Sequence, residues 1–287
     1  MEDWTQLLLK RRNPDGGWGY YSGKSSWLEP TAYAAMALGG RQESADAMAL
    51  LEKWQAPSGA WVAQPKTGVE SWATALVVAV KGMRGEFDES WRAGTEWLVK
   101  TEGKKSAPPT WLDRLLRRKE LVEQDATLTG WPWLAGTADW VEPTAQALRA
   151  LKLGLRHGRS GEAPDRIREG ELLLLDRRCE DGGWNYGNRR VLDEDLPSFP
   201  ECTALALIGL SGNPKLDVGR SIDRALNDWR KPQPALARAL IRIGLRMHGV
   251  AFEDRRPEIT DRTETTQIAL SLIGEPEGAW RQWRGDA

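Results

Sequence analysis

Residues Asp15–Leu38 read DGGWGYYSGKSSWLEPTAYAAMAL. A Gly-Gly-Trp turn opens the stretch, a polar loop with a second tryptophan follows, and Glu29-Pro30-Thr31 leads into a run of small apolar residues. Proline suits the first helical turn, and a carboxylate there meets the positive end of the helix dipole. The run Ala32–Leu38 is apolar on every face, so the spacing predicts a helix buried on all sides.

The same order recurs. Ser58–Val80 reads SGAWVAQPKTGVESWATALVVAV, and Thr129–Leu151 reads TGWPWLAGTADWVEPTAQALRAL. Asp181–Leu210 reads DGGWNYGNRRVLDEDLPSFPECTALALIGL, and a weaker copy, TETTQIALSL, starts at Thr263. Each passes from a turn or polar stretch to a glutamate (Glu29, Glu70, Glu142, Glu201, Glu264) and then to an apolar helix. The segments before the Gly-Trp turns, Ser44–Gln55 and Pro164–Arg178, are amphipathic and predict helices with one wet face. Period-two strand signals are absent. The chain therefore reads as all-α, alternating outer and inner helices that stack as a solenoid or close into a ring. Six helical hairpins of about 48 residues would use the chain once, within the usual range for helical repeats.

Composition narrows the function. The formal charge is −1, from 40 basic and 41 acidic residues, which argues against a nucleic-acid partner. Two cysteines, Cys179 and Cys202, exclude a disulfide framework and fit a reducing compartment. The N-terminus MEDWTQLLLKRRN lacks the form of a signal peptide, and no apolar run has transmembrane length, so a soluble cytoplasmic protein is expected. Tryptophan is over-represented, 16 against 3 Phe and 4 Tyr. Such rings serve as staples between helices or as walls of an apolar cavity.

Leu51, Gln55, Gly59 and Trp61 fall in the register of a known repeat. So do Gly170, Leu174, Gly182 and Trp184, with Arg178 where glutamine would stand, and Gly94, Trp97 and Leu98 match half of a third copy. These turns resemble the Q-W repeat of squalene-hopene cyclases and related triterpene cyclases. The resemblance implies the fold of terpenoid cyclases and protein prenyltransferase beta subunits: a single α/α toroid over residues 1–287, six inner helices within six outer ones. It also implies a central cavity for an isoprenoid or other apolar small molecule. Prenyltransferase beta subunits work with a separate chain, so a second protein chain is an implied partner.

The acid motif of that family, Asp-x-Asp-Asp before Thr-Ala, aligns on Phe199-Pro200-Glu201-Cys202-Thr203-Ala204. Glu201 takes the place of the acid and Cys202 of its neighbour. Because a glutamate recurs at this point in the other copies, it also reads as a structural group that caps its helix and binds the Trp turn. The fourth copy alone carries a longer loop with Asp193, Glu194 and Asp195. Catalytic candidates are Glu201, Asp193 and Asp195, and the acidic loop is a candidate Mg2+ site at Asp193/Asp195. Trp27, Trp72 and Trp140, beside the keyed glutamates, are expected to line the cavity with Glu29, Glu142 and Cys202. Trp18, Trp61, Trp131 and Trp184 read as staples. Zinc is not expected: no Asp stands two residues before Cys202, and neither His157 nor His248 begins the next inner helix. The alternative function is a non-catalytic protein-interaction module on the same toroid.

Overall fold

The computed structural model describes residues 3–104, 122, 124–158 and 163–286. Its helices are α1 (Trp4–Lys10), α2 (Leu28–Ala37), α3 (Gln42–Glu52), α4 (Thr74–Met83), α5 (Glu89–Lys100), α6 (Val141–Arg156) and α7 (Ala163–Asp176). They continue as α8 (Pro200–Leu210), α9 (Gly219–Trp229), α10 (Ala235–Met247), α11 (Thr265–Ile273) and α12 (Trp280–Arg284).

From α1 to α10 two kinds of helix alternate, as the apolar patterning requires, and α11 follows α10 as a second buried helix in succession. In α8 every residue from Cys202 to Leu210 is buried, and in α4 every residue from Thr74 to Gly82. By contrast α5 buries Trp91, Gly94 and Leu98, one stripe at helical spacing. The buried helices contact one another in a closed circuit: α2 on α4, α4 on α6, α6 on α8, α8 on α10, α10 on α11, and α11 back on α2. Small residues set their spacing: a Cβ on Gly209 of α8 would stand 2.7 Å from the Ala145 Cα of α6.

The Gly-Trp turns hold the two kinds of helix together in one repeated bonding scheme. The indole N–H of Trp18 donates to the Leu8 carbonyl, that of Trp61 to Leu51, that of Trp131 to Leu98 and that of Trp184 to Leu174, at 2.6–2.9 Å. The amide N–H of each donates to a threonine hydroxyl in the next buried helix: Thr31, Thr74, Thr144 and Thr203. All four tryptophans are buried. Gln55 completes its turn by donating to the carbonyls of Gly59 at 3.0 Å and Ser90 at 2.8 Å, which ties the turn to the start of α5. Gly59 has φ +95 and its Cα faces the Ala93 carbonyl, so a side chain there meets both strain and a clash.

One expectation is corrected here. The long fourth loop contains strands, a small antiparallel hairpin of β1 (Arg190–Val191) and β2 (Glu194–Asp195). Its turn residues Leu192 and Asp193 both have positive φ, 52 and 67, the form that matches strand twist in a two-residue loop. No Asn-Gly or Asp-Gly pair marks that turn, which is why the pattern reading missed it.

Candidate functional site

Because every turn feeds the N-terminus of a buried helix, four of the keyed glutamates arrive at the same end of the circuit. Glu29, Glu142 and Glu201 sit in the first turns of α2, α6 and α8, and Glu264 is the N-cap of α11. They face a cavity of about 420 Å3, with Tyr20, Tyr33, Trp72, Trp133 and Tyr186 as its aromatic walls and Leu205, Leu236, Leu240 and Leu270 among its aliphatic ones. Trp72 and Trp133 meet edge to face, ring centres 4.8 Å apart. Tyr33 closes the deep side: its ring lies 6.5 Å from that of Trp283 in α12.

The electrostatics of this cavity are one-sided. The Tyr20 hydroxyl donates to Glu29 at 2.6 Å, and Gln267 reaches Glu264 at 3.4 Å. Glu142 and Glu201 have no hydrogen-bond or ion-pair partner among the described residues. Among the described residues no lysine or arginine lines the space, and Lys24 lies in the adjoining groove that shares Tyr20 and Glu264. Burial, and then the Glu29 and Glu201 carboxylates, push the Glu142 pKa up to about 8. Burial also raises Glu29, partly offset by the Tyr20 hydrogen bond, with Glu264 raising it further. The helix N-termini favour negative charge here, yet desolvation and mutual repulsion outweigh them at Glu142.

The sequence candidates separate. Glu29, Glu142, Glu201, Cys202 and Trp72 share the cavity. Trp27 stacks near Tyr20, ring centres 6.1 Å apart, and lines an adjoining surface groove with Tyr21, Lys24 and Gln64. The Trp140 ring lies against Gly187. Asp193 and Asp195 are on the exposed hairpin, away from the cavity lining, and Asp195 faces Arg190 at 3.8 Å. Glu70 leaves the set: it bonds Ser58 at 2.6 Å and the Trp97 indole at 3.3 Å. The reading of the recurring glutamates as partners of the Trp turns holds for Glu29, which accepts from Tyr20, and for Glu70, which accepts from Ser58, but not for Glu142 and Glu201; the backbone N–H of each turn Trp goes to a threonine. Tyr20, Tyr33 and Tyr186 were missed, and Trp133, one of the tryptophans near an inner-helix start, was not singled out as lining. Trp133 follows Trp131 by two residues, and Tyr20 and Tyr186 each follow a Gly-Gly-Trp by two, so position after the turn was the available signal.

Among the described residues no group of three or more His, Cys, Asp or Glu is placed to hold a metal ion. Burial and Glu201 push the Cys202 thiol up to about 12, which keeps it protonated. His248 bonds the Leu207 carbonyl at 2.8 Å, and His157 stacks on Phe87.

An all-α chain whose buried helices close a circuit around a cavity at their common N-terminal end has an α/α toroid fold of the terpenoid cyclase-like kind. The type II terpene cyclase MstE from Scytonema superposes with TM-score 0.54 at 15% identity, over 85% of this chain and 70% of that one. The family 8 glycosyl hydrolase endoglucanase Cel10 from Klebsiella pneumoniae superposes with TM-score 0.60 at 12% identity, over 94% and 96%. In sequence, the chain is 27% identical over 230 residues to drimenyl diphosphate synthase from Streptomyces showdoensis. That alignment takes in 77% of this chain and 38% of the relative, so the chain spans well under half of the relative's length. No family model matches. No helix among the described residues is long and apolar enough to cross a membrane.

Proposed function

We propose that this chain is a single-domain terpenoid cyclase-like toroid that takes an isoprenoid or another apolar molecule into the cavity between Glu29, Glu142, Glu201 and Glu264. In this reading the six helices of the circuit are the inner ring, α1, α3, α5, α7 and α9 belong to the outer layer, and α12 plugs the far end of the ring. The observation that carries it is the wall: five aromatic rings and at least four leucines around one space at the glutamate-bearing end. MstE has been seen in complex with geranylgeranyl dihydroxybenzoate as substrate, which supports an isoprenoid as the class.

The reading is of binding first. Protonating an alkene calls for a strong acid, whereas Glu142 is a weak one because its anion is destabilised. Glu201 is kept as the catalytic candidate by its place beside Glu142 in the cavity. Asp193 and Asp195 belong to the surface in this reading, and no Mg2+ is assigned to them because Arg190 already faces Asp195.

Calorimetric titration with farnesol, and product analysis after incubation with squalene and prenyl diphosphates, test the proposal. Farnesol binding without turnover is expected. Absence of binding by every isoprenoid overturns it. Cyclised product that Glu201→Gln abolishes and Asp195→Asn spares would make Glu201 catalytic.

A second reading, an interaction module, draws on one observation. Tyr21, Val69, Leu134, Tyr186, Leu192 and Phe199, six of the eight exposed large apolar side chains among the described residues, lie on the loops that precede the buried helices, and Tyr186 also lines the cavity. Their concentration on those loops suits a covering protein surface.

A further inference from the structure

Beside the cavity runs a surface groove of about 620 Å3, and the two share Tyr20 and Glu264. The groove is otherwise walled by Tyr21, Lys24, Ser25, Trp27 and Gln64. It therefore sets aromatic rings beside an ammonium, a hydroxyl, an amide and a carboxyl.

The groove lies where the circuit of helices closes. The Tyr20 carbonyl accepts from the Thr265 amide, at the start of α11, at 2.8 Å. Arg11 fastens the same seam by donating to the Asp261 and Thr263 carbonyls at 2.8 and 2.6 Å. The loop of the second repeat is tied in as well. Gln64 donates to the Ser26 carbonyl at 3.2 Å, and the Leu28 amide donates to the Ala63 carbonyl at 3.0 Å. Three segments distant in sequence thus build one groove.

Its cation is held at a fixed point. Lys24 is exposed, yet its backbone is pinned: its N–H donates to the Tyr21 carbonyl at 3.1 Å, and its carbonyl accepts from the Asn13 side chain at 2.9 Å. Gly19 packs so closely that a Cβ there would stand 2.4 Å from that carbonyl. The Lys24 ammonium enters no ion pair among the described residues. Trp27, the N-cap of α2, is anchored by its amide N–H on the Trp18 carbonyl at 2.9 Å, and its ring lies 6.1 Å from that of Tyr20.

We infer that the groove is the head-group subsite for a ligand whose tail fills the cavity, and that the head is an aromatic hydroxy acid. This rests on the proposed isoprenoid cavity and adds what the isoprenoid carries. A flat ring lies against Trp27 and Tyr21, which aromatic side chains favour. A carboxylate on that ring meets Lys24 in a charge-assisted bond, and a ring hydroxyl donates to Glu264. Tyr20 and Glu264, common to both spaces, mark where tail and head join. A few placed polar groups beside an apolar space are the usual means of fixing a ligand's orientation.

Four ligands with one tail test this at pH 7 by calorimetric titration: 3-farnesyl-4-hydroxybenzoate, its methyl ester, farnesyl diphosphate and farnesol. The acid is expected to bind tightest, about tenfold better than its ester, which corresponds to about 1.4 kcal/mol. Lys24→Gln should abolish that difference, and Tyr21→Ala should weaken acid and ester alike by several-fold. Both positions are exposed, so neither change threatens the fold. Lys66→Gln, an exposed lysine outside both linings, should change nothing. Equal binding of acid and ester, or a preference for the acid that survives Lys24→Gln, overturns the head-group inference, while farnesol binding keeps the isoprenoid reading. Tightest binding by the diphosphate, lost in Lys24→Gln, gives the groove a phosphate head and overturns the aromatic acid. If none of the four binds, the isoprenoid reading falls and the inference with it.

Discussion

The two ends of the buried helices are built on opposite principles. At their N-terminal ends sit Glu29, Glu142, Glu201 and Glu264, with one tyrosine and one distant glutamine as partners. Toward their C-terminal ends sit Lys81, Arg149, Lys152 and Arg242, all buried and all bonded. Arg149 donates to the carbonyls of Ser211 and Trp283, and Lys152 to Glu171, Gly209 and Ser211. Both ends place charge to complement the helix dipole. At the far end α12 packs on α4, α6 and α10 and puts Trp283 into the core, and a pocket of about 530 Å3 lies between α12 and the C-terminal ends of α2 and α4. The closed end spends its charges on internal bonds, and the open end leaves them facing a cavity.

Breaking a pair at the closed end should have the largest effect. Glu171→Ala leaves Lys152 buried without its carboxylate and is expected to cost about 3–5 kcal/mol in urea unfolding. A loss under 1 kcal/mol would mean that the pair is not a structural element. Next comes the plug. Trp283→Ala removes a fully buried ring whose indole N–H has no partner, so packing alone is lost, about 3 kcal/mol.

At the open end the sign reverses. Glu142→Gln removes a charge that nothing answers and should stabilise the protein by about 1–3 kcal/mol at pH 8 and above. The pH window follows from linkage. With the folded pKa raised from 4.5 to about 8, the folded state binds a proton that the unfolded state has released between those values. Stability from this group is therefore full below pH 4.5 and is lost as pH rises through 8. Melting temperatures of wild type and Glu142→Gln measured from pH 4.5 to 8.5 should diverge upward in pH, with the variant the flatter. A variant that melts lower at pH 8 would show that Glu142 has an internal role like the far-end charges. The smallest stability change is expected for Trp72→Ala, about 1 kcal/mol from its contact with Trp133. Its effect belongs in ligand affinity, where farnesol should weaken about tenfold.

Much of the fold was legible because its causes are local. The Gly-Trp turns, the proline and glutamate at helix starts, and the contrast between apolar and amphipathic runs each predict their element within a few residues. Ser44–Gln55 and Pro164–Arg178 anticipated α3 and α7. The hairpin at Arg190–Asp195 was not legible, since its turn conformation rests on Leu192 and Asp193 rather than on a glycine. The site was legible in part. Recurrence alone could not separate glue from lining, because glutamate and threonine recur together: Thr31, Thr144 and Thr203 each stand two residues after the glutamate. In the second copy the threonine stands four after Glu70, and that shift takes Glu70 out of the cavity. The acidic triplet, the most conspicuous chemical feature of the sequence, lies on the surface.

By itself the sequence determined which helices are buried, which are wetted, and that one turn joins them again and again. Those properties follow from side-chain periodicity and backbone preference, which act within a few residues. Tertiary structure decided what the repeated glutamates face. Closing the circuit brings first turns separated by dozens of residues to one end, where desolvation and mutual repulsion act together. Neither effect exists in a single copy of the repeat.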